Sequence, residues 1–277
     1  MERGVGLEGR RRAGAAQCGD FTRDRAFESG TIARMDEFPL RERLAVVLSR
    51  PSHPGNIGGA ARALKTMGLS DLRVVAPKRF PDPEAVALAS GAADVLERAR
   101  VFERLEDAIA DSILAVGFSS RPRDLSHPPL ALREAAPAIV AACGRGRVAL
   151  VFGNETFGLT NEELARCQML ASIPANPAYA SLNLAAAVQV ACYEVAVAAA
   201  LHAPAQGVAH QSATVAEIEA LFAHWEAAMV ASGFLDPAQP KRLMERMRRL
   251  FARAGLEREE VKLLRGMLAA FEKGRAG

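Results

Sequence analysis

The chain is poor in the residues and motifs that most often announce a site. Its four cysteines (Cys18, Cys143, Cys167 and Cys192) have no CxxC spacing and no histidines at ligand spacing beside them. That excludes a disulfide framework and a structural zinc site, and it fits a reduced, cytoplasmic protein. The five histidines (His53, His127, His202, His210, His224) are scattered, which argues against histidine-based catalysis, and no metal is expected. No Walker P-loop, HExxH or GxSxG occurs, and no GxGxxG follows the first apolar run. A Rossmann dinucleotide site is therefore unsupported. No uninterrupted apolar run reaches the length of a membrane span. The nearest, Leu184–Leu201, is broken by Gln189 and Glu194 and reads as a buried helix. The N-terminal stretch is Gly- and Arg-rich, lacks the apolar core of a secretory signal and carries acidic residues that disfavour a transit peptide. Residues 1–38 read as a disordered tail, with Met35 a candidate start of translation.

What is present is a long apolar chain with one uneven charge distribution. Half of the 277 residues are hydrophobic, enough for a sizeable core in one or two domains. Formal net charge is only +3, yet Lys241–Arg265 holds a marked excess of Lys and Arg over Glu. Such an excess attracts polyanions, and it would equally serve as a solvated helix face.

The apolar pattern alternates between strand and helix signals. Strands are expected at Leu44–Ser49, Leu72–Ala76, Ser112–Phe118, Arg147–Phe152 and Met169–Ile173. Between them, helices are expected at Gly59–Met67, Pro83–Ser90, Ala131–Ala142, Asn161–Cys167 and Leu182–Leu201. Thr160 and Glu163 have capping-box spacing. Continuous apolar strands alternating with helices imply an α/β fold with a mainly parallel sheet covered on both faces. This part occupies 39–202. Residues 203–213 form a linker by composition, after which the strand signal stops. Residues 214–277 read as a helical domain with helices at Thr214–Ser232, Pro240–Ala254 and Leu256–Lys273.

Three segments stand out: Asn56–Leu69, Leu150–Leu164 and Ile173–Glu194. Each pairs a Gly- or Asn-marked turn with a helix start, the usual ligand-binding position of an α/β protein. In the first, Arg62 follows a turn rich in backbone N–H groups and suits a phosphate or oxyanion, although an exposed arginine on an amphipathic helix is the commoner meaning. In the second, Gly153 and Gly158 flank Glu155 and permit close backbone approach, or simply form a strand–helix loop. In the third, Ser181 reads as an N-cap when taken alone, while Ile173-Pro174 makes a stiff turn whose carbonyls can meet an adenine edge.

Together, NIGGAARA, FGNETFGLTNEE and IPANPAYASLNLAAAVQVACYE resemble the SPOUT, or α/β-knot, RNA methyltransferases, most closely the TrmJ-type tRNA 2′-O-methyltransferases. The likeness runs from about Arg43 to Lys273 and includes the helical extension. It implies a deep C-terminal trefoil knot, a homodimer, S-adenosyl-L-methionine as cofactor and tRNA as partner, with no DNA or membrane. The implied reaction is 2′-O-methylation of cytidine or uridine at anticodon-loop position 32; the alternatives are 2′-O-methylation of another tRNA site or of rRNA, or a non-catalytic RNA-binding role on the same scaffold. The implied cofactor residues are Phe118, Ser119, Ser120, Gly153, Ile173, Ala180, Ser181 and Leu182. Arg62 falls on the catalytic arginine and Ser181 on the motif serine, while Asn56, Glu155 and Asn183 match other polar motif positions. The chain departs from the usual wording at Asn154, where many relatives carry Arg, and at Phe118, where Thr is frequent.

Overall fold

The computed structural model describes residues 40–119, 129–201 and 211–275. The expected N-terminal tail, Ser120 and most of the expected linker lie outside these residues. A short helix α1 (Leu40–Arg43) runs into β1 (Leu44–Ser49), followed by α2 (Pro54–Thr66), β2 (Asp71–Val75), α3 (Pro83–Ala89), α4 (Ala93–Glu97) and β3 (Arg100–Phe102). Then come α5 (Leu105–Ile109), β4 (Ser112–Phe118), β5 (Leu130–Ala131), α6 (Leu132–Cys143), β6 (Arg147–Phe152), α7 (Asn161–Arg166), β7 (Met169–Ser172) and α8 (Leu184–Leu201). Three helices end the chain: α9 (Val215–Ala231), α10 (Leu243–Ala254) and α11 (Arg258–Arg275).

The strands form one seven-stranded sheet in the order β3-β2-β1-β6-β4-β7-β5. Every pairing is parallel. All six residues of β1 are buried, so no polar face interrupts its run. Val46 and Leu48 face one apolar core with α2, α3, α6 and α8. Val47 faces the other, with Ala149, Val151, Leu105 and Leu164. The apolar helix α8 is long enough by composition to cross a membrane, but it packs against α2 and α6 and buries Val188, Ala191, Cys192 and Val195 in the first core.

The structure moves one important boundary. Helix α2 begins at Pro54, not Gly59, because proline at the first helical turn presets φ and has no N–H to waste. Asn56, Ile57 and Gly58 are therefore helical. Gly58 and Gly59 serve close packing instead of a turn: a Cβ at Gly58 would lie 2.1 Å from the Ala85 carbonyl oxygen, and one at Gly59 2.7 Å from the Ala185 Cβ. The helices α4 and α5 and the strands β3 and β5 have too few residues to show a period. Most other ends shift by one to three residues, as caps commonly do.

Helices α9–α11 enclose their own cluster of Leu221, Leu256 and Val261, with Trp225, Phe251 and Leu264 packed against it. Thr214 and Glu217 form a capping box at the start of α9. Glu219 on α9 ties this unit to the sheet domain, accepting hydrogen bonds from Arg166 on α7 and Arg248 on α10.

At the amino edge of the sheet, Arg73 is 1% exposed. Its charge is tolerated because Asp71 accepts from its Nη2 at 2.9 Å and Asp111 accepts from both its Nη1 and its Nη2. Asp71 also receives Arg100 at 3.0 Å and Arg147 at 2.8 Å. Burial opposes ionisation of Asp71 and Asp111, but hydrogen bonds and charge from Arg73 outweigh it and hold both carboxyls below their ordinary range. Asp71→Ala leaves a buried cation short of its partner and is expected to cost about 3–5 kcal/mol in denaturant unfolding. Because these pKa values are depressed on folding, the stabilisation is complete above the ordinary carboxylate range and is lost as pH falls through the folded values.

Candidate active site

The parallel order places the carboxyl ends of β1, β6, β4 and β7 side by side on one edge. Three of the chain segments leaving that edge enclose a cavity of about 530 Å³. Its walls are Phe118 at the end of β4 and Ser119 after it, residues 153–159 after β6, and Ile173 with 177–182 before α8. The described cofactor candidates Phe118, Ser119, Gly153, Ile173, Ala180, Ser181 and Leu182 all line it; Ser120 falls outside the described residues. A separate cleft of about 610 Å³ between the β4–α7 side and α9–α10 shares no wall residue with it.

The cavity floor is aromatic. Phe118 stacks on Phe152 with centroids 4.3 Å apart, so the phenylalanine at this position is held by a neighbour built for it. Gly153 allows the chain to fold back sharply, since a Cβ there would lie 2.2 Å from the Gly158 carbonyl carbon and the Leu159 nitrogen. Gly158 itself has φ +71°, a conformation glycine adopts freely. Among the described residues the walls include no lysine, arginine or histidine, and Glu155 is their one charged side chain.

Beside the cavity runs a hydrogen-bond chain joining the three segments. Asn183 Nδ2 donates to Asn56 Oδ1 at 2.8 Å, and Asn56 Nδ2 donates to Glu155 Oε1 at 2.9 Å. Glu155 also accepts from the Ser52 N–H at 2.8 Å and the His53 N–H at 3.2 Å. Its carboxylate thus caps the amino end of α2, where free N–H groups and the helix dipole favour negative charge. Partial burial opposes ionisation, but the hydrogen bonds from Asn56, Ser52 and His53 prevail and hold the Glu155 carboxyl below its usual range. Through these hydrogen bonds Glu155 joins the three segments.

Two further side chains brace this arrangement. Asn154, 8% exposed, donates to the Arg50 carbonyl at 2.8 Å and to Ser52 Oγ at 2.7 Å, and accepts from the Thr156 N–H at 2.9 Å. Asparagine at this position therefore closes the loop from within. Glu163 completes the expected capping box with Thr160 and also accepts from Ser49 Oγ at 2.5 Å and Arg50 Nη2 at 2.8 Å. The local spacing revealed only the cap. The link to β1 is more than a hundred residues away in sequence and has no local signal.

The remaining candidates sit differently from expectation. Ser181 lines the cavity but does not cap α8; that helix starts at Leu184, and Asn183 Oδ1 accepts from the Ala186 N–H at 3.2 Å. Arg62 is exposed on α2, two turns beyond Asn56 and outside the cavity walls. The turn expected beside it, Asn56-Ile57-Gly58, is itself helical, and the N–H groups that Glu155 accepts are those of Ser52 and His53, just before the helix. Replacing Glu155 with Gln is expected to lower stability at neutral pH by about 1 kcal/mol, since a half-exposed carboxylate is partly screened. It should also flatten the acid limb of the stability–pH curve, as the depressed Glu155 pKa contributes stability above the usual glutamate range that is lost as pH falls. Urea unfolding across pH checks both.

Comparison with known proteins places these features in context. Residues 43–193 match the SpoU rRNA Methylase family, and residues 216–276 match the C-terminal domain of the tRNA methyltransferase TrmJ. The chain is 47% identical over 245 residues to the tRNA (cytidine/uridine/adenosine-2′-O-)-methyltransferase TrmJ of Pseudomonas aeruginosa, covering 84% of this chain and 95% of that protein. It is 44% identical over 242 residues to the tRNA (cytidine/uridine-2′-O-)-methyltransferase TrmJ of Escherichia coli K12, covering 86% of this chain and 98% of that protein. The crystal structure of TrmJ from Z. mobilis ZM4 superposes with a TM-score of 0.73 at 33% identity, covering 82% of this chain and 98% of that one. A parallel sheet with its motifs gathered at one carboxyl edge, followed by a matching helical domain, makes this chain a member of the SpoU methylase family with a TrmJ-type C-terminal domain.

Proposed function

We propose that the protein is an S-adenosylmethionine-dependent tRNA 2′-O-methyltransferase that modifies cytidine or uridine at position 32 of the anticodon loop. The observation that carries this reading is the convergence of the three motif segments on one cavity. Its volume suits a nucleoside-sized ligand. The aromatic floor, turn backbone and absence of cationic walls among the described residues suit an adenosine bearing a sulfonium, and do not suit a pyrophosphate. The same lining weighs against a dinucleotide-dependent oxidoreductase. The two tRNA methyltransferase relatives, similar over nearly their whole lengths, support tRNA as substrate. Family membership supports a trefoil threading of the C-terminal part of the sheet, and a cytoplasmic location belongs to the same reading.

Phe118, Ser119, Gly153, Ile173, Ala180, Ser181 and Leu182 hold the cofactor, which supplies a methyl group already activated on sulfur. A ribose hydroxyl is a weak nucleophile, so the protein's task is alignment and relief of developing negative charge. Arg62 binds the RNA phosphate and the attacking ribose oxygen, using its fixed fork of donors. Ser181, at the cavity wall, orients the hydroxyl. Glu155, Asn56 and Asn183 keep the three segments in register and take no proton.

The domains divide as residues 39–202 for methyl transfer and 214–277 for RNA binding, joined by the linker at 203–213. Arg246, Arg249 and Arg253 are exposed on α10 and bind the tRNA backbone. Arg248 is committed elsewhere, with its guanidinium on Glu219 and 4.7 Å from the Phe222 ring centroid. The protein acts as a homodimer, and Tyr193 and Leu201, exposed at 42% and 62% on α8, are available to its interface.

Arg62→Ala is expected to retain cofactor binding by calorimetry while methyl transfer falls on the order of 10²–10³-fold; near-normal methylation of tRNA would remove the assigned role. Replacing Arg246, Arg249 and Arg253 with Ala should weaken tRNA binding and reduce the slope of log affinity against log salt by roughly one for each phosphate no longer neutralised. Mass-spectrometric mapping of 2′-O-methyl groups in tRNA from a deletion strain tests the assigned position. Light scattering on the purified protein tests the dimer.

A further inference from the structure

Aromatic residues are only 5% of this chain, with two tyrosines in all, and two of the five exposed aromatic side chains among the described residues line one cavity. Tyr179 is 78% exposed, Phe157 46% and Leu182 42%, and all three line the same cavity. Scattered exposed apolar side chains need no explanation, but a cluster rimming a polar-edged cleft marks a contact surface. Arg50 holds Phe157 from one side, with its guanidinium 5.2 Å from the ring centroid. Among the described residues the hydrogen bonds that hold Tyr179 come through its backbone. Its N–H donates to the Asn176 carbonyl at 2.8 Å, and Asn176 Oδ1 accepts from the Ala178 N–H at 3.0 Å. The turn is thus braced while the aromatic ring stands exposed at the mouth.

From this we infer that Tyr179 is the stacking platform for the base of the nucleotide being methylated, with Phe157 as the second apolar surface at the rim; the inference rests on the proposed RNA methylation. Tyr179 lies two residues before Ser181, which lines the cavity assigned to the methyl donor. A ribose hydroxyl presented at that mouth brings its own base within one glycosidic bond of the rim. Sequence-specific RNA recognition favours unstacked loop bases laid on aromatic faces. An aromatic face accepts any base, because every base has a π surface, so this platform supports a ribose methylase that takes more than one pyrimidine. Among the described residues the cavity walls themselves carry no positive charge, and the Arg50 guanidinium behind Phe157 is paired with Glu163.

The test crosses the protein with the substrate. An anticodon stem–loop transcript is prepared with the target pyrimidine or with 5,6-dihydrouridine, which keeps the ribose hydroxyl and loses the planar ring. Wild-type kcat/KM should fall about tenfold or more on the dihydrouridine substrate. Tyr179→Ala should lose about as much on the ordinary substrate and little more on dihydrouridine, and Tyr179→Phe should restore most of the loss. S-adenosylmethionine affinity and oligomeric state should be unchanged in Tyr179→Ala. Three results would overturn the inference: undiminished kcat/KM in Tyr179→Ala, losses that multiply fully across the two changes, or a parallel fall in cofactor affinity or dimer content. If wild-type protein methylates no tRNA, the functional reading fails and this inference with it. If wild-type methylates tRNA and Tyr179→Ala does so equally well, only the inference fails.

Discussion

The site depends on one carboxylate. Glu155 leaves β6 in a turn and lies against the amino end of α2, where it accepts two backbone N–H groups and the Asn56 amide. The two N–H groups belong to Ser52 and His53, which precede the first helical residue, so the carboxylate lies at the positive end of the helix dipole. A single side chain therefore caps α2, anchors the turn after β6 and, through Asn56 and Asn183, fixes the start of α8. The close approach of α2 and α8 that permits this last hydrogen bond requires Gly59, where a Cβ would meet Ala185. Packing and hydrogen bonding thus specify the same geometry, and the cavity walls are held by the protein's own groups.

Charge is distributed in a way that suits the proposed chemistry. The described cavity walls carry a carboxylate and no cation, whereas Arg62, Arg246, Arg249 and Arg253 stand exposed outside them. An uncharged adenosine and a sulfonium are compatible with the first environment, and an RNA backbone with the second. Other arginines are committed to structure. Arg73 is neutralised by two aspartates at the amino edge of the sheet, and Arg166 and Arg248 by Glu106 and Glu219 at the junction with the helical unit. The basic residues along α10 overstate the cations available to RNA, because a side chain's partner is set by the helix packed against it.

Much of the fold was legible in the chain. β1, β4 and β6 match the expected strands at both ends, since a run of about five apolar residues with a polar residue at one end allows one element. The Thr160–Glu163 cap was readable because both partners lie within one turn. The short pieces β3 and β5 were not, being below the length at which a period exists. Asn56-Ile57-Gly58 looked like a loop because glycine usually breaks helices. The close approach of Gly58 to the Ala85 backbone, which only the packed α3 reveals, shows why the glycine is tolerated inside α2. Ser181 looked like a cap, and Asn183 took that position because α8 begins later.

The sequence alone determined the class, the order of its longer elements and the polar residues that gather around the cavity, because those follow from local pattern and from motif wording. Tertiary structure decided what each polar residue does. Glu155 reaches back about a hundred residues to Ser52, His53 and Asn56, and Glu163 likewise to Ser49 and Arg50. No local spacing encodes such pairs; they exist because parallel pairing of β1 with β6 brings two distant carboxyl ends together. The same register collects the cavity walls and leaves Arg62 outside them. The chemistry was written in the residues, and its division between cavity and surface was settled by the sheet.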